Sequence, residues 1–259
     1  MRLYRVNDDW ITHLEDRQFR NELSDTLRRL DLTRLQKFPP PKITGLPIGN
    51  ETRIISRFIK RQSSQLDPSA LSAIYRKLLS AEDRRLYEAF RMNEALTVSQ
   101  WADIIGNGNV EKWVQNRCLE QMPDGKLRCQ FSVVSLDGLV FCVDPIKDHG
   151  KLWEPDFVID EGGEISDEVK PFFHTYIGLD SLQMIEHMQE QTLPEGGRYL
   201  DCGPGSGSLL LYFARRFDEA LGIDISARAV TLAQFNADLN GLTNCKVICD
   251  DAIAAGDKY

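Results

Sequence analysis

The 259-residue chain predicts an α/β fold: a parallel sheet built from strand–helix–strand units, preceded by a helical region that ends in a winged-helix outline. Three observations carry that prediction. From residue 198 onward, short apolar runs alternate with helix-length runs. Between the first such strand and its helix stands "DCGPGSG", residues 201–207, which places three entropy-costly glycines at one turn. Further upstream, helix-length segments are followed by "KLRCQFSVVSLDGLVFCVD", two apolar runs around an Asp137-Gly138 turn.

Taken in order, residues 1–36 read as helical, with apolar positions spaced through charged ones, and "FPPPK" (Phe38 to Lys42) must interrupt any helix because proline removes backbone donors. "NETRIISRFIKR" predicts an amphipathic helix over 52–61, capped by Asn50 or Thr52. Ile54, Ile55, Phe58 and Ile59 face inward, and Arg53, Arg57, Lys60 and Arg61 form a basic outer face. Residues 68–93 are helical again. "TVSQWADIIG" and residues 109–121 give two more helices before the hairpin, which completes the winged-helix order. In the would-be recognition helix, Lys112 and Arg117 are balanced by Glu111 and Glu120, poor material for phosphate contact, so a packing or acceptor-positioning role is expected. Residues 144–170 are acidic and turn-rich, with one short strand at 157–159. Asp180 or Ser181 is expected to cap a helix that buries Leu182, Ile185 and Met188.

The βαβ pattern then runs as strand 199–202, helix 206–217, strand 219–225, helix 226–242 capped by Ser226, and strand 245–251. The domains are expected at 1–80 (helical), 81–150 (winged-helix-like), 151–171 (acidic connector) and 172–259 (sheet region).

Composition excludes several classes. No apolar run reaches the roughly 18 residues needed to span a bilayer, and the N-terminus shows no apolar signal-peptide core. Six scattered cysteines without a CxxC pair predict reduced thiols in a cytoplasmic protein, with no metal site. His174 and His187 are isolated and read as structural. The net charge of −8 divides unevenly: residues 1–61 carry 13 Lys+Arg against 8 Asp+Glu, and the remainder 18 against 31. The acidic body argues against broad nucleic-acid wrapping, while the basic head leaves room for a local acidic partner.

The glycine turn lets a ligand approach the backbone after the first strand. Its spacing departs from the dinucleotide pattern G-x-G-x-x-G, because the third glycine position holds Ser208. Asp201 ahead of the glycines suits a cationic amino group better than a pyrophosphate. "LDCGPGSGSL", "GIDIS", "AVTLAQFNADLNGL" and "VICDDA" together resemble the S-adenosylmethionine site of class I methyltransferases, a Rossmann-like core. The "AVTLAQFNADLNGL" helix is most similar to the small-domain subgroup, which methylates nitrogens in protein glutamine or nucleic-acid bases.

The resemblance covers about residues 172–259 and implies roles position by position. Asp201 would face the methionine amino group, and Gly203, Gly205 and Gly207 would give the close approach. Asp224, with Ile225 beside it, would accept from the ribose hydroxyls. Asp251 would accept from the adenine amino group with Ala252 against the ring, although Asp250 is an equal candidate by spacing. Tyr176 and Asp180 would lie over the methionine end. The subgroup's catalytic Asn/Asp-Pro-Pro-Tyr/Phe motif follows a fourth strand and is not present here, so no catalytic residue is assigned. Asp144-Pro145 carries only one proline and falls in the hairpin. A longer enzyme, or a partner chain that completes the sheet beside its first strand, is therefore expected. The resemblance implies a methyltransferase with the N-terminal part positioning the acceptor; a small-molecule O-methyltransferase and a non-catalytic scaffold with a residual cofactor site are the alternatives.

Overall fold

The computed structural model describes residues 10–37, 79–145, 175, 177, 179–189, 191 and 193–253. The predicted basic helix 52–61, the Phe38–Lys42 break and the strand at 157–159 lie outside these residues.

The first helical stretch is three pieces. A 3-10 turn (Thr12–Glu15) leads to helix α1 (Arg17–Arg29), where the Asp16 carboxylate accepts from the Gln18 and Phe19 amides; a second 3-10 turn spans Leu32–Lys37. Asp31, at φ 45°, separates the last two. Helix α2 (Ala81–Leu86), capped by Ser80, runs on as a π turn over Tyr87–Arg91. Helix α3 (Val98–Ile105) starts from a capping box between Thr97 and Gln100, and α4 (Asn107–Gln115) follows after Gly106.

Here the structure corrects the sequence reading. The helix expected over 109–121 stops at Gln115, and Leu119–Gln121 is strand β1, paired antiparallel with β2 (Leu127–Cys129). The apolar stretch 126–144 is therefore not one hairpin. Its first part completes β1–β2, and its second forms β3 (Ser132–Leu136) and β4 (Leu139–Val143), joined at Asp137-Gly138 with φ of 49° and 80°. Two consecutive positive φ values with Leu136 opposite Leu139 fit a two-residue type I′ turn. Lys112 pairs with Glu22 of α1 at 2.8 Å, and Arg128 with Glu120 at 2.8 Å, both at the surface.

Helix α5 (Leu179–Gln189) buries Leu182 and Ile185, with Met188 packed at the edge. It already includes Asp180 in its first turn, so Asp180 and Ser181 lie within the helix and not at its cap. The sheet region follows as β5 (Arg198–Cys202), α6 (Ser208–Ala214), β6 (Glu219–Asp224), α7 (Ala227–Leu239) and β7 (Cys245–Cys249). The strands are parallel in the order β5-β6-β7, as βαβ connections require. Helix α6 is shorter than the expected 206–217, and β7 ends two residues before Asp251. Ser226 caps α7 by accepting from the Ala229 amide.

Helix α7 is buried on two sides. Leu232, Phe235 and Leu239 join an N-terminal core with Trp10, Phe90, Trp101, Trp113 and Phe131. Ala233 and Ala237 join a second core with Val247, Phe213 and the β3–β4 residues Val134 and Phe141. Burial on two sides leaves such a helix without a single apolar stripe. Its C-terminal carbonyls are met by Arg28 of α1, which donates to Leu239 O at 3.0 Å and also to Asp238 O. The opposite face of the sheet is barer: Leu200 is 51% exposed and Cys202 is exposed, and among the described residues β5 has no strand on its outer edge. No helix among them is long and apolar enough to cross a membrane.

Candidate cofactor-binding site

Three parallel strands bring their C-terminal ends to one rim, the usual place for a ligand in such sheets. Asp201 lies opposite Gly222, and Asp224 lies opposite Cys249. The chain leaving β5 stays paired for one more residue, Gly203 N donating to Ile223 O at 2.8 Å, and then turns back over the sheet.

Asp224 organises the rim. Its Oδ2 accepts from the Gly205 amide at 3.1 Å, its Oδ1 from the Ser226 amide at 2.9 Å, and its carbonyl from the Asp250 amide at 3.2 Å. One side chain thus ties the glycine loop to the start of α7, and its backbone ties both to the exit of β7. A carboxylate oxygen that accepts one amide keeps a lone pair for a further donor.

Gly203 and Gly205 hold φ of 83° and 57°, and a Cβ on either would meet nothing within 4 Å. The loop is left-handed there, where glycine is favoured, and its outer surface is open. Gly207 is left-handed too, at φ 87°, and its Cβ would also lie 2.7 Å from Leu211 Cδ1 and 3.3 Å from Ala233 Cβ, so a bare backbone suits both the turn and the close approach to α7.

Asp201 is 8% exposed, and its Oδ2 has no hydrogen-bond partner among the described residues. Burial raises its pKa from 3.8 to about 6; the Leu210 backbone bond opposes this and the Asp224 charge adds to it. A buried carboxylate with one empty oxygen is expensive unless a donor or cation meets it.

The other expected residues are placed less decisively. Asp250 and Asp251 share the turn after β7: Asp250 Oδ1 accepts from Asp251 N at 2.8 Å, and Asp251 Oδ1 accepts from Ile253 N at 2.9 Å. Ala252 is half-buried, and Ile225 is 49% exposed. Asp180 is exposed on α5, and no hydrogen bond among the described residues joins it to the glycine loop. Tyr176 lies outside the described residues.

Sequence reasoning missed a buried cluster beside this rim. Asp144, 1% exposed at the end of β4, pairs with Arg228, 5% exposed in the first turn of α7. Arg228 Nη1 donates to Asp144 Oδ2 at 2.8 Å, and Nη2 pairs with Oδ1. Thr175 donates to the same Oδ2 through its amide at 2.5 Å and its hydroxyl at 3.1 Å, and its carbonyl accepts from Asp144 N at 2.9 Å. The cluster anchors the chain just ahead of Tyr176. One signal was present: an arginine in a first helical turn opposes the helix dipole and needs an anion.

Residues 193–258 match the family model described as "Methyltransferase domain". The Arabidopsis thaliana protein named zinc finger CCCH domain-containing protein 24 is 29% identical over 117 residues, covering 42% of this chain and 14% of that protein. A tRNA/tmRNA (uracil-C(5))-methyltransferase of Cellvibrio japonicus is 37% identical over 65 residues, covering 25% of this chain and 18% of that protein. The chain therefore spans less than a fifth of the length of these two relatives. Among solved structures, a SAM-dependent methyltransferase from Thiobacillus denitrificans in complex with S-adenosyl-L-homocysteine is 28% identical over 29% of this chain and 30% of that one, with a TM-score of 0.24. For residues 193–258 the family model supports a methyltransferase domain.

Proposed function

We propose that the sheet region is the cofactor-binding half of an S-adenosylmethionine-dependent methyltransferase whose acceptor is a nucleic acid. The observation that carries the cofactor reading is Asp201: a buried carboxylate with an empty oxygen, just ahead of a loop whose glycines leave the backbone open. A cationic amino acid moiety satisfies that oxygen, while Asp224 keeps lone pairs for two neighbouring hydroxyls. Asp251 and Ala252 are assigned to the adenine, Ile225 to the ribose edge, and Tyr176 and Asp180 to the methionine end.

When bound, the cofactor supplies a sulfonium-activated methyl group. The chain's own residues bind and orient it and exclude water, so proximity is the main catalytic contribution. The acceptor class follows the name of the Cellvibrio relative. A nitrogen as the acceptor atom follows the small-domain resemblance, against the uracil C5 carbon in that relative's name. The N-terminal elements, with the boundaries predicted from the sequence, are assigned to hold the acceptor. The open edge of β5 among the described residues calls for a further strand beside it, from another segment or a partner chain.

Equilibrium dialysis with labelled S-adenosylmethionine tests the cofactor reading, using Asp224→Ala as the comparison. Retention in the micromolar range by the wild type and its loss in the variant is expected. A folded wild type that retains no label sinks the reading. Labelled methyl transfer to a tRNA pool, against a protein pool, tests the acceptor.

A further inference from the structure

Helix α7 and its C-cap carry two asparagines one turn apart, Asn236 and Asn240, and both bond the same strand. Asn240 accepts from Val140 N at 2.8 Å and donates to Val140 O at 2.7 Å. Asn236 repeats the arrangement two residues along β4, accepting from Cys142 N at 2.8 Å and donating to Cys142 O at 3.0 Å. The spacing works because four helical residues rise about 6 Å and two strand residues about 6.7 Å. The two amides serve as a substitute strand for the outer edge of the β3–β4 hairpin.

Asn236 does one thing that Asn240 does not. Its Nδ2 also donates to Ser206 O at 2.9 Å, inside the glycine loop, and the side chain is fully buried. Asn240 Nδ2 instead donates back to Asn236 O within the helix. The Ser206 carbonyl belongs to the peptide linking Ser206 to Gly207, between the open glycines and the tight contact with Ala233. Ser206 itself is 1% exposed, so without this donor its carbonyl would need another partner or the peptide would rotate.

We propose that Asn236 is a positioning residue: it fixes the glycine loop in its cofactor-binding shape and makes that shape depend on docking of the β3–β4 hairpin. The proposal rests on the cofactor reading above. It gives the N-terminal half a physical route to the cofactor loop, from the Cys142 backbone through one amide to the Ser206 carbonyl.

Asn240→Ala is the control, since it removes the same kind of hairpin bond without touching the loop. Calorimetric titration with S-adenosylhomocysteine is run on the wild type, Asn236→Ala and Asn240→Ala, with melting temperatures alongside. Both variants are expected to lose stability. Only Asn236→Ala is expected to weaken binding, by about tenfold, whereas Asn240→Ala stays within about twofold. Equal affinities in the two variants overturn the proposal.

If Asn236→Ala does not fold, amide exchange on the wild type decides. Added S-adenosylhomocysteine should slow exchange at Cys142, whose amide donates to Asn236, more than at Val140, whose amide donates to Asn240. Equal slowing at both overturns it. A wild type that binds no S-adenosylhomocysteine removes the cofactor reading and this proposal together; a wild type that binds while the two variants match removes only the proposal.

Discussion

Two buried aspartates lie close to the same rim and live in opposite conditions. Asp144 is met on every side, by a paired guanidinium and by the amide and hydroxyl of Thr175. Asp201, almost as buried, keeps one oxygen without a partner and is pushed up to about 6. We propose that the satisfied acid holds the fold together and that the unsatisfied one meets a ligand.

The largest expected effect breaks the satisfied side. Asp144→Ala removes the buried carboxylate that Arg228 and Thr175 both bond, which costs about 3–5 kcal/mol and is read as a fall in the chemical-denaturation midpoint. An unchanged midpoint would mean that Asp144 does not anchor this junction. On the unsatisfied side the expectation inverts. Asp201→Asn removes a strained charge and raises the stability of the ligand-free chain at neutral pH by about 2 kcal/mol. The same variant binds S-adenosylhomocysteine more weakly. Loss of both stability and binding would place Asp201 with Asp144 as a structural residue.

The pH dependence sharpens the same point. The folded-state pKa of Asp201 is raised above 3.8 to about 6. Between about pH 4 and pH 6 the folded chain holds a proton that the unfolded chain has released, so this group's contribution to stability falls as pH rises through that window. Affinity for a cationic ligand runs the other way and rises as Asp201 ionises. Parallel curves for stability and affinity would contradict the assignment. The smallest effect is expected at the bare face of the sheet: Leu200→Lys, at a half-exposed position, should change stability by no more than about 0.5 kcal/mol in this chain.

The sheet region was legible because its signals are local. Each strand, the glycine loop, Asp201, Asp224 and the Ser226 cap lie in one stretch whose period switches between strand and helix. The β3–β4 turn was legible for the same reason, since Asp-Gly dictates its own geometry. The split of residues 126–144 into strands of two hairpins was not. Partner choice for β2 depends on β1, which sits where helix periodicity seemed to continue. Asp144–Arg228 and Asn236–Cys142 join residues 84 and 94 positions apart, and no local pattern announces such partners. Helix α7 also hid its role, because burial on two sides erases the amphipathic stripe that would have shown where it packs.

The most direct test is calorimetric titration of S-adenosylhomocysteine into the wild-type chain and Asp201→Asn, each at about pH 7.5 and about pH 5. The account predicts that wild-type affinity drops at the lower pH, while the variant binds weakly and equally at both. Wild-type binding that is as tight at low pH, and is matched by Asp201→Asn, would contradict the claim that this buried carboxylate awaits the cofactor.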